Sequence, residues 1–132
     1  MEAAVDPRAR PVRVLVADDE PLFVDMVMAL LAREERIDVV GAARDGREAV
    51  DLAISLAPEV IVMDISMPLL DGIEAARRIR EVRSDASILI LTGSSMSAEI
   101  DRSRQVGVAA FLTKDRIATQ LVDAILDLGP SS

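Results

Sequence analysis

The sequence predicts one α/β domain built on a parallel β-sheet. Three observations carry that prediction. Five short apolar runs alternate with five segments of helical periodicity, the third run is apolar without alternation, and the intervening segments are long enough for helical crossovers. At 132 residues and 51% apolar content, the chain is sized for a single hydrophobic core, with no room for a second domain.

Val12 to Ala17 is β-branched and stops at Asp18-Asp19-Glu20, after which Pro21 suits the first turn of a helix. Between Pro21 and Glu35, Leu22, Phe23, Met26, Val27, Leu30 and Leu31 recur at helical spacing and are expected to form one buried stripe. Ile37 to Ala43 reads as a second strand, Asp45-Gly46 as a turn, and Arg47 to Ala57 as a helix with Ala49, Val50, Ala53 and Ile54 inward. Pro58 ends that helix. Val60 to Asp64 is the third strand, expected to be covered on both faces, with Asp64 at its carboxyl end. Ser66 to Gly72 is a loop in which Pro68 fixes φ and Gly72 permits a tight turn, with Met67 also assigned to loop geometry. Asp71 and Glu74 resemble a capping box opening a helix through Ile73, Ala76, Ile79 and Val82.

A fourth strand runs from Ser87 to Leu91 and ends at Thr92. Ser97 to Val106 is helical in composition but has few apolar residues, chiefly Ala98, Ile100 and Val106, so weak anchorage is expected there. Val108 to Leu112 is a fifth strand reaching Lys114. Ile117, Leu121, Val122, Ile125 and Leu128 stripe a last helix that Gly129-Pro130 stops. Residues 1–11 are expected to be a flexible tail, 12–128 the folded domain and 129–132 a C-terminal tail.

Composition narrows the chemistry. Acidic residues outnumber basic ones 23 to 15, and the net charge of −8 argues against a surface that grips a nucleic-acid backbone. The chain has no cysteine and no histidine, which removes disulfides, thiol nucleophiles, Ser-His-Asp catalysis and His-ligated zinc. The start lacks an apolar signal region and no run approaches membrane-spanning length, so a soluble, cytoplasmic protein is expected. Lys114 is the only lysine among 15 cationic residues, which fits either an Arg-rich composition or a tight pocket needing a compact ammonium.

In an open doubly wound sheet, ligands bind beyond the carboxyl ends of the strands. Those ends carry Asp18, Asp19, Asp64, Thr92 and Lys114. Three carboxylates there would repel one another unless a cation gathers them, and oxygen ligands without His or Cys favour Mg²⁺ or another hard cation. One carboxylate could then act as a nucleophile toward phosphorus, with the metal and Lys114 neutralising the phosphoryl oxygens. Helix capping and solvated loops would account equally well for Asp18-Asp19 taken alone.

Four segments resemble the signatures of response-regulator receiver domains, in order and at family spacing. They are Val14 to Glu20, Met63 to Gly72, Ile90 to Gly93 and Phe111 to Lys114, and the likeness extends from about Val12 to Leu128. The resemblance implies a flavodoxin-like (βα)5 fold with strand order 2-1-3-4-5. It also implies Mg²⁺-dependent phosphoryl acceptance on Asp64 from a sensor histidine kinase, with slow autodephosphorylation. In that reading Asp18, Asp19, Asp64 and the backbone carbonyl of Ser66 hold the metal. Thr92 is the switch hydroxyl, Lys114 pairs with the phosphoryl group, and Phe111 is the aromatic switch, although a ring in a strand is by default core. The switched surface, formed by helix four, strand five and helix five, would control homodimerisation or an output domain.

Many receivers follow the lysine with proline in a cis peptide; here Asp115 follows, as in the NarL/FixJ-like branch, whose members often carry a DNA-binding helix-turn-helix. Ser66 and Ser94 are expected to influence loss of the phosphoryl group. Two other readings compete. One is a haloacid-dehalogenase-type phosphatase, whose nucleophile lies on the first strand in an Asp-x-Asp arrangement that Asp18-Asp19 does not match. The other is a phosphorylation-independent interaction module, a class that typically lacks one or more of the site residues present here.

Overall fold

In a computed structural model, residues 10–67, 69–93 and 97–129 are described. Five strands, β1 (Val12–Ala17), β2 (Ile37–Ala43), β3 (Val60–Asp64), β4 (Ser87–Thr92) and β5 (Ala110–Thr113), form one sheet in the order β2-β1-β3-β4-β5. Every pairing is parallel. The helices α1 (Pro21–Ala32), α2 (Gly46–Leu56), α3 (Gly72–Val82), α4 (Ser97–Gln105) and α5 (Ile117–Leu128) alternate with the strands, and one 3₁₀ turn, Lys114–Arg116, precedes α5. This is the doubly wound fold and the strand order that the sequence predicts. Strand order reverses between β1 and β3, which puts the switch point where Asp18 and Asp64 leave the sheet.

The period-2 alternation of the central strands feeds two cores. Leu15, Ile61, Met63, Ile88 and Ile90 pack with Ala49, Ala53, Ala76 and Ile79 of α2 and α3. Val14, Val16, Val60, Val62, Leu89 and Leu91 pack with Val27, Leu31, Leu121 and Ile125 of α1 and α5. Every residue of β3 is buried, as its unbroken apolar run requires.

Several local expectations need correction. Leu22 and Met26 of α1 and Ile54 of α2 are exposed rather than inward, and Val82 at the end of α3 is exposed as well. Helix α1 is apolar around most of its circumference, so periodicity alone does not select a face; docking on the sheet selects the line of Val27 and Leu31. Gly46 belongs to α2, not to a turn. Asp45 caps this helix by accepting the Glu48 N–H at 2.8 Å. Only half of the expected capping box forms at α3: Asp71 accepts the Glu74 N–H at 2.8 Å, while the Glu74 carboxylate engages Arg77 and Arg78. Strand β5 begins at Ala110 rather than Val108, because the N–H of Val108 is taken by the Ser103 carbonyl of α4. Met67 lies in the loop between β3 and α3, as expected, and its side chain is in addition buried in the α2–α3 core.

Gly72 is not in the left-handed region that a tight turn would need; among the described glycines only Gly107 is. Its requirement is close approach, since a Cβ at position 72 would stand 2.2 Å from the Asp64 carbonyl oxygen. The start of α3 is thereby seated on the end of β3. In the loop between them Leu69 has φ 69° and is exposed. Pro68, Ser94, the side chains of Ala98 and Ile100, and most of both expected tails (1–9 and 130–132) lie outside the described residues. Among the described residues no helix is long and apolar enough to cross a membrane.

Candidate functional site

Each site residue is delivered by the end of a strand. Asp18 and Asp19 follow β1, Asp64 ends β3, Thr92 ends β4, and Lys114 follows β5. Parallel register aligns these ends: Asp64 pairs with Leu91, so Thr92 stands one residue beyond it, and Thr92 pairs in turn with Thr113. Asp18, Asp64 and Thr92 are buried, whereas Asp19 is exposed at the pocket's mouth.

One carboxylate oxygen from each of Asp18, Asp19 and Asp64 lies within 4.8 Å of the others. The Lys114 ammonium lies 3.3 Å from Asp18 Oδ2 and 3.5 Å from Asp64 Oδ1. Three negative charges therefore face one positive charge. Burial raises the Asp64 carboxyl above its ordinary range and the neighbouring Asp18 charge adds to the rise; Lys114 and the Ser66 backbone N–H, which donates to Asp64, only partly oppose it. A pocket of hard oxygen donors with excess negative charge fits a divalent cation such as those that prefer carboxylates and water.

Asp18, Asp19, Asp64 and Lys114, expected from their strand-end positions to share one site, stand together in the structure. It adds three features. Asp18 Oδ1 accepts the Glu20 N–H at 2.9 Å, so this carboxylate also shapes the turn into α1 without capping it: the N-cap of α1 is Glu20, which makes no side-chain cap bond. Ser66, expected through its carbonyl, reaches Asp64 through its N–H. Phe23 of α1 lies under the Lys114 ammonium, 4.2 Å from ring centroid to Nζ. The only sequence signal for that contact is that Phe23 falls in the first turn of the helix that starts at Pro21, two residues after the Asp18-Asp19 pair. Phe111 is half-buried on β5 against the α2–α3 core, with the Arg104 guanidinium of α4 over its ring at 5.4 Å.

These features define a doubly wound α/β domain with an acidic, oxygen-lined pocket at its switch point. The chain belongs to the response regulator receiver family, whose model, described as the response regulator receiver domain, matches residues 14–126. The transcriptional regulatory protein PdtaR of Mycobacterium tuberculosis is 43% identical over 117 residues, covering 89% of this chain and 56% of PdtaR. NarL of the same species is 35% identical over 122 residues, covering 92% of this chain and 56% of NarL. The chain thus spans a little over half the length of these relatives. The solved signal receiver domain of M. tuberculosis NarL superposes with a TM-score of 0.86 at 36% identity, over 89% of this chain and 95% of that one. The domain is NarL-like within its family.

Proposed function

We propose that this domain accepts a phosphoryl group on Asp64 from a sensor histidine kinase in a Mg²⁺-dependent reaction, and that the added charge switches the surface of α4, β5 and α5. The observation that carries this reading is an ammonium shared between two buried carboxylates in a three-carboxylate pocket. An Asp64 carboxylate oxygen attacks phosphorus as the P–N bond to the donor imidazole breaks; the electron pair stays on the imidazole nitrogen, which takes up a proton. Asp18, Asp19, Asp64 and the Ser66 carbonyl would hold Mg²⁺, which when bound supplies positive charge to the phosphoryl oxygens. Lys114 moves its hydrogen bond from Asp18 to one phosphoryl oxygen, and the Thr92 hydroxyl donates to another.

Loss of the group is the reverse exchange with water: water attacks phosphorus, the bond between Asp64 oxygen and phosphorus breaks, and inorganic phosphate leaves. Ser66, exposed beside Asp64, lies where it would influence water's approach. Movement of Thr92 toward the phosphoryl group frees space for Phe111 to turn inward, away from Arg104. The altered surface would then control homodimerisation or an output domain of a cytoplasmic regulator.

Acetyl phosphate with Mg²⁺, or the cognate kinase, is expected to add one acid-stable, base-labile phosphoryl group by intact mass spectrometry. Persistence of that adduct in Asp64→Asn would overturn the assignment. The beryllofluoride mimic is expected to promote association, and an unchanged sedimentation profile would count against the switched surface.

A further inference from the structure

Lys114 must stay in place while its charged partners change. Its flexible four-carbon stem leaves the turn after β5, and its side chain remains 29% exposed. Both carboxylates that hold it, Asp18 at 3.3 Å and Asp64 at 3.5 Å, are redistributed during the proposed reaction, one toward the cation and one into an acyl phosphate. A lysine anchored by these two groups alone would lose its orientation at the moment it is needed.

The third contact does not change charge. The ammonium sits over the Phe23 ring, 4.2 Å from its centroid, and that ring is fixed by packing on the core that contains Val27 and Leu31. An aromatic face attracts a cation but cannot ligate a hard metal or be phosphorylated, so its pull persists through every step. Phe23 and Phe111 are the only aromatic residues in the chain, and Lys114 is the only lysine. We propose that Phe23 is a positioning residue: its ring holds the Lys114 ammonium at the pocket so that it meets the incoming phosphoryl oxygens. This proposal rests on the phosphoryl-acceptor reading given above.

The single lysine makes the test clean. Protein labelled with ¹³C at the lysine ε carbon gives one side-chain NMR signal, whose protons are expected upfield in the wild type and displaced downfield in Phe23→Leu, where no ring shields them. In parallel, the rate of phosphoryl acceptance from acetyl phosphate with Mg²⁺ is followed by intact mass spectrometry. Phe23→Leu is expected to slow it about three- to tenfold, the range spanned by a moderate cation–π contact. Phe23→Tyr, which keeps the ring, is expected to restore both signal and rate. Leu30→Val trims the same core without approaching the lysine and is expected to change neither. An unshifted lysine signal in Phe23→Leu, or equal rates in Phe23→Leu and the wild type, would overturn the proposal while leaving the acceptor reading intact. Failure of the wild type itself to accept a phosphoryl group would overturn both.

Discussion

Asp64→Asn is expected to make the resting, metal-free protein more stable at neutral pH, although it removes the central residue of the site. With an effective dielectric constant near 20, repulsion between Asp64 and Asp18 at up to 4.8 Å costs roughly 3–4 kcal/mol. Attraction to Lys114 at 3.5 Å returns roughly 5 kcal/mol, and Asp19, being exposed, adds only about 1 kcal/mol of repulsion. The pairwise terms nearly cancel, so desolvation of a carboxylate that is only 5% exposed decides the sign. That leaves a net penalty of about 2 kcal/mol, which Asn would relieve while still accepting the Ser66 N–H. The pH dependence has a definite direction. Because the folded-state pKa is raised, the native state binds the Asp64 proton more tightly than the unfolded chain does, and stability falls as pH rises from the ordinary carboxylate value through the raised one. The advantage of Asn is therefore full above the raised pKa and vanishes below the ordinary carboxylate range. Urea or thermal unfolding in EDTA from pH 3.5 to 8 measures it, with a rise in Tm of about 6 °C expected at pH 7.5. A variant no more stable than the wild type at pH 7.5, or an advantage that grows on acidification, would refute the electrostatic reasoning.

Mg²⁺ at about 100 times its Kd is expected to stabilise the wild type by about 2.7 kcal/mol, and the gain should be largely lost in Asp64→Asn and Asp19→Asn; thermal shift against Mg²⁺ concentration checks this. Gly72→Ala should cost about 2–4 kcal/mol, because its Cβ meets the Asp64 carbonyl oxygen, and chemical denaturation measures that loss. Leu69→Asn should leave the protein equally stable or stabilise it by up to about 1 kcal/mol, since Asn tolerates the left-handed backbone better than Leu; the same denaturation assay would expose a loss instead.

Sequence resolved what depends on local rules and missed what depends on docking. The ends of β1, β2 and β3 are read to the residue, because β-branched runs stop at acids or turn residues. The four strand-end positions of the site follow directly, since parallel topology sends every carboxyl end to one edge. By contrast, the exposure of Leu22, Met26, Ile54 and Val82 is decided by which line of each helix meets the sheet, and an apolar residue beside that line carries no mark of it. The Phe23–Lys114 contact joins the first helix to the turn after the last strand through space, and no spacing in the chain encodes it. Gly72 shows a subtler failure: the residue type was informative, but it reports crowding against β3, not left-handed backbone.

A short, sparsely buried edge strand leads into the residue that answers to the pocket. Of the four residues in β5 only Leu112 is buried, and the strand lies at the sheet edge, paired on one side. Lys114, directly after it, is tied to Asp18 and Asp64, while Phe111 within it is tied to α4 through Arg104. Under the proposed function, a charge change at Asp64 would act on a short edge strand whose packing offers little resistance, whereas β3, buried along its whole length, would hold the proposed acceptor still. That contrast favours rearrangement at β5 and α4 over deformation of the central sheet. It gives a physical reason for the proposed output to emerge on that side of the domain: the same added charge meets a rigid strand at its point of attachment and a yielding one where its counter-ion is carried.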